Sequence, residues 1–146
     1  MLIQMLANTG INIVPLLEML GNTITVISDT VTQMYQYSDN NNPDNKLKGI
    51  VYAPNLETVE SRSIDDNSGM TTIIMPKVKT IKSQGFWASY GLKTVFIPNA
   101  CTSLATNAFS MCGNLTNIYI DNVEGTFGDI AADSSLPNLK VTYLKK

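Results

Sequence analysis

The sequence predicts a β-rich solenoid in which four units of 22–24 residues stack, a fifth strand closes the chain, and a mainly helical segment comes first. Three observations carry this. Proline recurs at a fixed step, as Pro54 in "VYAPNL", Pro76 in "IIMPKV" and Pro98 in "FIPN", and Asp121 of "YIDNV" takes the next place. Apolar residues keep the same beat in three columns: Met70, Leu92, Leu115 and Leu139; Val59, Ile81, Leu104 and Phe127; and Ile64, Phe86 and Phe109, fading to Ala132. Each unit also opens with an alternating apolar run, as in "LKTVFIP". A unit this short cannot bury its own apolar face, so it stacks on its neighbours and the core runs through the stack.

Residues 1–37 stand outside that rhythm and read as an assembly or capping segment. Every third or fourth residue is apolar: Ile3, Leu6, Ile13, Leu17, Leu20, Ile24, Ile27, Val31 and Met34, with a gap at Gly10. Such an a/d stripe suits helices that pack on one another. Pro15, Gly21 and the "NTG" at 8–10 forbid one unbroken helix, so two or three shorter segments are expected. "NTITVISDTVTQMYQYS" is the most continuous of them, although its β-branched residues also suit a strand. Three roles follow: a cap over the open end of the first repeat, a self-association stripe making a homo-oligomer, with a trimer favoured, or a few exposed Met and Leu side chains that dock into another protein. Residues 38–48, built around "SDNNNPDN", read as a polar linker.

The repeats then occupy 49–146, as Gly49–Met70, Thr71–Leu92, Lys93–Leu115, Thr116–Leu139 and the closing "KVTYLKK". In "LKTVFIP", Leu92, Val95 and Ile97 point inward while Thr94 and Phe96 point outward. Proline ends each strand because it has no N–H to give a ladder. A loop then carries Phe86 or Phe109 back under the strand. Val51, Ile73, Val95 and Ile118 should form one inward column. The outward column two places before the proline reads Tyr52, Ile74, Phe96, Tyr119 and Tyr143, flanked by Ile50, Thr72, Thr94, Asn117 and Val141. Large rings beside hydroxyl and amide groups suit a recognition surface, since Tyr gives contact area at little entropic cost. The same stripe can instead stabilise the sheet through cross-strand pairs, or serve as the dock for residues 1–37.

The phrase "TVFIPNACTSLATNAFSMCGNLTNIYI", with its strand, proline, "NAF", Cys112 and Leu115, resembles the BspA-like leucine-rich repeat family. The resemblance covers about residues 49–144 and is strongest in the third unit. The second unit departs from it, with Gly85 and Ser89 where the family prefers Ala and Cys. The resemblance implies a leucine-rich-repeat solenoid that binds without catalysing. Its members are mostly bacterial surface adhesins and, in gut bacteriophages, parts of virion proteins.

Composition closes off most other functions. Charged residues make up 15% of the chain and the net charge is −2, so the basic stripe that nucleic-acid binding needs is missing. The chain has no His, which excludes Ser–His and Cys–His chemistry. Cys101 and Cys112 make no metal spacing; Cys112 reads as a buried small hydrophobe, and a disulfide between the two is the alternative. Asp65, Asp66, Asn67 and Ser68 lack the calcium-loop spacing and read as a solvated loop. No cofactor, metal or membrane insertion is expected. The resulting expectation is a non-catalytic recognition or structural protein, a bacteriophage virion component such as a fibre, decoration or tail appendage. Its partners would be other virion proteins or a host surface protein or glycan. A surface adhesin module and a cytoplasmic protein-interaction repeat protein are the alternatives.

Overall fold

The computed structural model describes residues 2–34 and 47–146. Two short helices come first, α1 (Leu2–Asn8) and α2 (Val14–Met19). Four strands follow, β1 (Ile24–Val26), β2 (Gln33–Met34), β3 (Gly49–Tyr52) and β4 (Thr58–Val59). Then come β5 (Met70–Ile74), β6 (Thr80–Ile81), β7 (Thr94–Ile97), β8 (Ser103–Leu104), β9 (Asn117–Val123) and β10 (Lys140–Lys145), with a 3-10 turn at Ile130–Ala132. The chain is a β-solenoid. Its odd strands and β10 line one face in parallel, in the orders β1-β3-β5 and β7-β9-β10, and the short strands line a second face in the order β2-β4-β6-β8.

The array begins earlier than the proline spacing indicates. β1 pairs with β3 through Ile24–Ile50, Thr25–Val51 and Val26–Tyr52, and β2 pairs with β4. Residues 24–34 are therefore a first rung, and only the two short helices ahead of them fit the helical reading of 1–37. The β-branched run from Thr23 to Ile27 decides the matter, because it packs well on a pleated surface and loses rotamer freedom in a helix. Gly10 and Gly21, at φ +84° and +75°, follow the two helices. Of the polar segment at 38–48, residues 38–46 lie outside the described residues; Leu47 is buried in the solenoid core.

The core is built from the sequence columns. Val51, Ile73, Val95 and Ile118 are fully buried, with Val51 paired to Ile73 and Val95 to Ile118. Phe86 and Phe109 stack with ring centroids 5.1 Å apart and planes 12° from parallel. Val59, Ile81 and Leu104 sit side by side in the second sheet. Where the third column fades, exposed Ala132 is replaced by Ile130, which is buried. The loops stack as well. Ile64 N–H donates to Gly85 O at 2.9 Å and Phe86 N–H to Ala108 O at 2.9 Å, so each rung satisfies the next on the loop side.

Two local devices shape the outward face. Pro54, Pro76 and Pro98 stop their strands, but Asp121 keeps its N–H and β9 runs on to Val123. Between β5 and β7 the main sheet divides into two halves. Lys93 N–H still donates to Thr71 O at 2.9 Å, and the Thr72 hydroxyl reaches Thr94 O at 2.5 Å. Gly91 lies at this seam: a Cβ there would meet Ser68 O at 2.3 Å and Met70 O at 2.7 Å, so only glycine lets the rungs close up.

Candidate functional site: the outward sheet face

The ladder registers define the outward columns. Ile24, Ile50 and Thr72 align in the first half, beside Val26, Tyr52 and Ile74. In the second half Thr94, Asn117 and Lys140 align, beside Phe96, Tyr119 and Thr142. Tyr143 and Val141 are not in these columns. Tyr143 pairs with Ile120 and Val141 with Ile118, and both side chains pack against the main core. The rung step from Phe96 to Tyr119 is 23 residues, and the same step again lands on Thr142. Counting the closing strand as one residue longer turned its two faces over, because strand side chains alternate with period two.

The N-terminal helices cover the first half of this face. Ala7, Ile13 and Leu17 form a buried cluster with Tyr52 and Ile74, and Ile3, Leu6, Val14, Ile24 and Ile50 pack around it. Tyr52 is 8% exposed and Ile74 2%. Asn12 Oδ1 accepts from Val14 N–H at 3.1 Å where α2 begins, with Pro15 in its first turn. The apolar stripe read as one self-association seam is thus divided within the chain. Ile3, Leu6, Ile13, Leu17 and Ile24 hold the helices on the sheet, Ile27, Val31 and Met34 enter the solenoid core, and Leu20 is 64% exposed. Of the three fates open to the aromatic column, Tyr52 and Ile74 meet the third: they are the dock for α1 and α2.

The second half carries no helix. Thr94, Asn117, Tyr119 and Thr142 are half-buried and Lys140 is exposed. Phe96, placed outward by the alternation, is only 4% exposed, against 0% for inward Val95. It therefore offers little area for contact. The groove where Val14 and Asn12 meet Val26, Tyr52 and Pro54 encloses about 530 Å³, and a second cleft of about 410 Å³ lies between Phe127, Ile130, Val141 and Tyr143 in the last rung.

Both cysteines are free and buried. Burial pushes the Cys101 thiol up to about 11 and the Cys112 thiol up to about 12, so neither yields a thiolate near neutrality. Three or more His, Cys, Asp or Glu side chains that could hold a metal ion do not come together among the described residues. Nor is any helix there long and apolar enough to cross a membrane. The loop read as solvated is internal at two of its four residues: Asp65 is 7% exposed and Asn67 is fully buried, while Asp66 is half-buried and Ser68 exposed. Arg62 bonds Asp65 at 3.2 Å and lies 4.0 Å over the Trp87 ring, which draws the carboxylate inward.

One column escaped the reading of the apolar beat. Ser89 Oγ donates to Ile64 O at 2.7 Å, and Cys112 Sγ, 23 residues on, donates to Phe86 O at 2.9 Å. Each is a small donor answering the carbonyl of the preceding rung. The signal was a recurring small donor residue three places after the aromatic plug. In the last rung Ser135 holds Asp133 instead, through Oγ at 2.6 Å and N–H at 2.9 Å, and Ser110 donates to the same carboxylate. Burial works to raise the Asp133 carboxyl, but the hydrogen bonds from Ser110 and Ser135 outweigh it and hold it below the usual range.

The family model for the BspA type leucine rich repeat region matches residues 22–142 in six copies. No curated protein and no solved structure is similar enough to the chain to count as a match. The six copies agree with the six strands on the main face, and the match begins at the rung formed by β1 rather than at residue 49. On this evidence the chain belongs to the BspA-type leucine-rich repeat family, whose solenoids are recognition scaffolds.

Proposed function

We propose that this chain is a non-catalytic recognition module whose contact surface is the outward face of β7, β9 and β10. The observation that carries this is the division of the sheet face. α1 and α2 cover the half built on Tyr52 and Ile74, leaving Thr94, Asn117, Tyr119, Lys140 and Thr142 outside the cover. A Tyr ring among hydroxyl, amide and ammonium groups can stack on a sugar or a peptide and hydrogen-bond it at the edges. The partner is a protein or a glycan. The setting we propose is a virion, as an appendage or decoration protein, in keeping with the resemblance to repeat proteins of gut bacteriophages.

Replacing Tyr119 and Asn117 together by Ala tests the surface. The expected outcome is loss of binding to glycan arrays and to host-cell surfaces while circular dichroism stays unchanged. Binding at wild-type strength by the double variant would move the contact surface elsewhere.

A further inference from the structure

Among the described residues β10 pairs only with β9, and β1 only with β3, so each end of the stack presents a strand with one open edge. Along a parallel strand, successive residues turn their N–H and C=O groups to alternate sides. Lys140 N–H donates to Thr116 O at 2.9 Å, which turns the backbone groups of Val141 and Tyr143 to the open side. At the other end Ile27 N–H donates to Tyr52 O at 2.8 Å and Ile50 N–H to Thr23 O at 2.9 Å, leaving Ile24 and Val26 facing the open edge. A row of unpaired backbone groups is a template for another strand.

The two ends differ in charge and in apolar content. From Lys140 to Lys146 there are three Lys, at 140, 145 and 146, and no Asp or Glu; Lys145 pairs with Asp121 of β9 at 3.6 Å, which leaves Lys140 and Lys146 as the excess charge of that end. Beside β1 the exposed side chains include the apolar Met19 at 84%, Leu20 at 64% and Val26 at 52%, with Asn22, Thr23 and Ser28 among them. The charged ones there are Glu18, Asp29 and Lys48, whose backbone bonds Thr25 Oγ1 at 3.0 Å. No Lys or Arg occurs in residues 1–45. A symmetric antiparallel pairing of two β10 strands about their midpoint would set Lys140 against Lys145, and like charges directly opposite destabilise a pair. The lysine-bearing end instead complements the acidic, apolar end.

We propose that copies of this chain join head to tail, β10 of one copy pairing in parallel with β1 of the next. In register, Thr142 would lie beside Val26 and Tyr143 beside Ile27, so the outward and inward columns would continue from one copy into the next. Such a contact is heterologous and open, and it repeats into a filament. It shares Lys140 with the contact surface assigned above, but it is read by assembly and not by binding to a glycan or cell.

Sedimentation of the 146-residue chain over a concentration series tests this, alongside two variants changed only at exposed side chains. Lys140→Glu/Lys146→Glu alters one end and Met19→Asp/Leu20→Asp the other, with Met19→Ser/Leu20→Ser as a second, uncharged means of altering that end should the pair impair folding. The wild type should grow in mass with concentration, and each variant alone should remain a monomer. Mixed, the two variants should form 1:1 dimers and nothing larger, since only one competent pair of ends remains. A wild type that stays monomeric at every concentration overturns the proposal and leaves those edges to another occupant. So do variants that assemble like the wild type, a mixture that yields no dimer, or an assembly that closes at a fixed mass. Loss of glycan or cell binding in the Tyr119 and Asn117 variant bears only on the contact surface, so the two proposals fail separately.

Discussion

Ser89 and Cys112 show how a solenoid side chain reaches a carbonyl of the preceding rung, although Phe86 O also accepts from Ser89 N–H at 3.2 Å. Each reaches back one rung, to Ile64 O or Phe86 O, from inside the core. Ser89→Ala removes the donor and leaves the carbonyl buried, which should cost about 1–3 kcal/mol in chemical unfolding. Cys112→Ser keeps a donor of similar size and should cost clearly less. Equal losses would mean that the side chains fill space and the bonds are incidental. Asp133 adds a pH dependence. Its folded pKa is depressed, so its stabilising effect is complete above the unfolded value of about 3.9 and is lost as pH falls through the lower folded value. Asp133→Asn should therefore unfold earlier than the wild type near neutrality, and the two urea midpoints should converge in acid. Midpoints separated equally at all pH values would place the effect in packing rather than in charge.

Among the elements, the stacked pair Phe86–Phe109 and the helical cover do different work. Phe109→Ala opens the core between two rungs and should cost about 3–5 kcal/mol. Tyr119→Ala, on the half-buried outward face, should cost much less, and equal losses would show that Tyr119 is covered. Removing residues 1–20 should leave the solenoid folded but bare Ile50, Tyr52 and Ile74, raising dye binding and lowering solubility. The inward columns, the aromatic stack and the strand ends were legible because each follows from a fixed repeat step and from proline chemistry. The first rung was not, since residues 24–34 carry no proline to mark the step and their apolar spacing also fits a helix. The face of β10 was misread because one residue of register inverts a strand. Burial of Tyr52 and Ile74 under α1 and α2 depends on contacts between segments tens of residues apart, and period alone does not specify those.

For the whole molecule, the central claim is a repeat stack that starts at residue 22 and wears its own N-terminal helices as a partial roof. Stack and roof share residues. Ile24 lies in β1 and packs under the helices, so the roof is seated on the first rung and depends on it. Amide hydrogen exchange resolved by residue reads this directly. Ile27 N–H donates to Tyr52 O at 2.8 Å, and Ala53 N–H, one rung on, donates to Ile74 O at 2.9 Å. The two amides should be protected to a similar degree, with protection running from β1 through β9 and lower values in α1 and α2. Fast exchange at Ile27 beside slow exchange at Ala53, or a continuous helical pattern of protection across residues 22–34, would contradict the account.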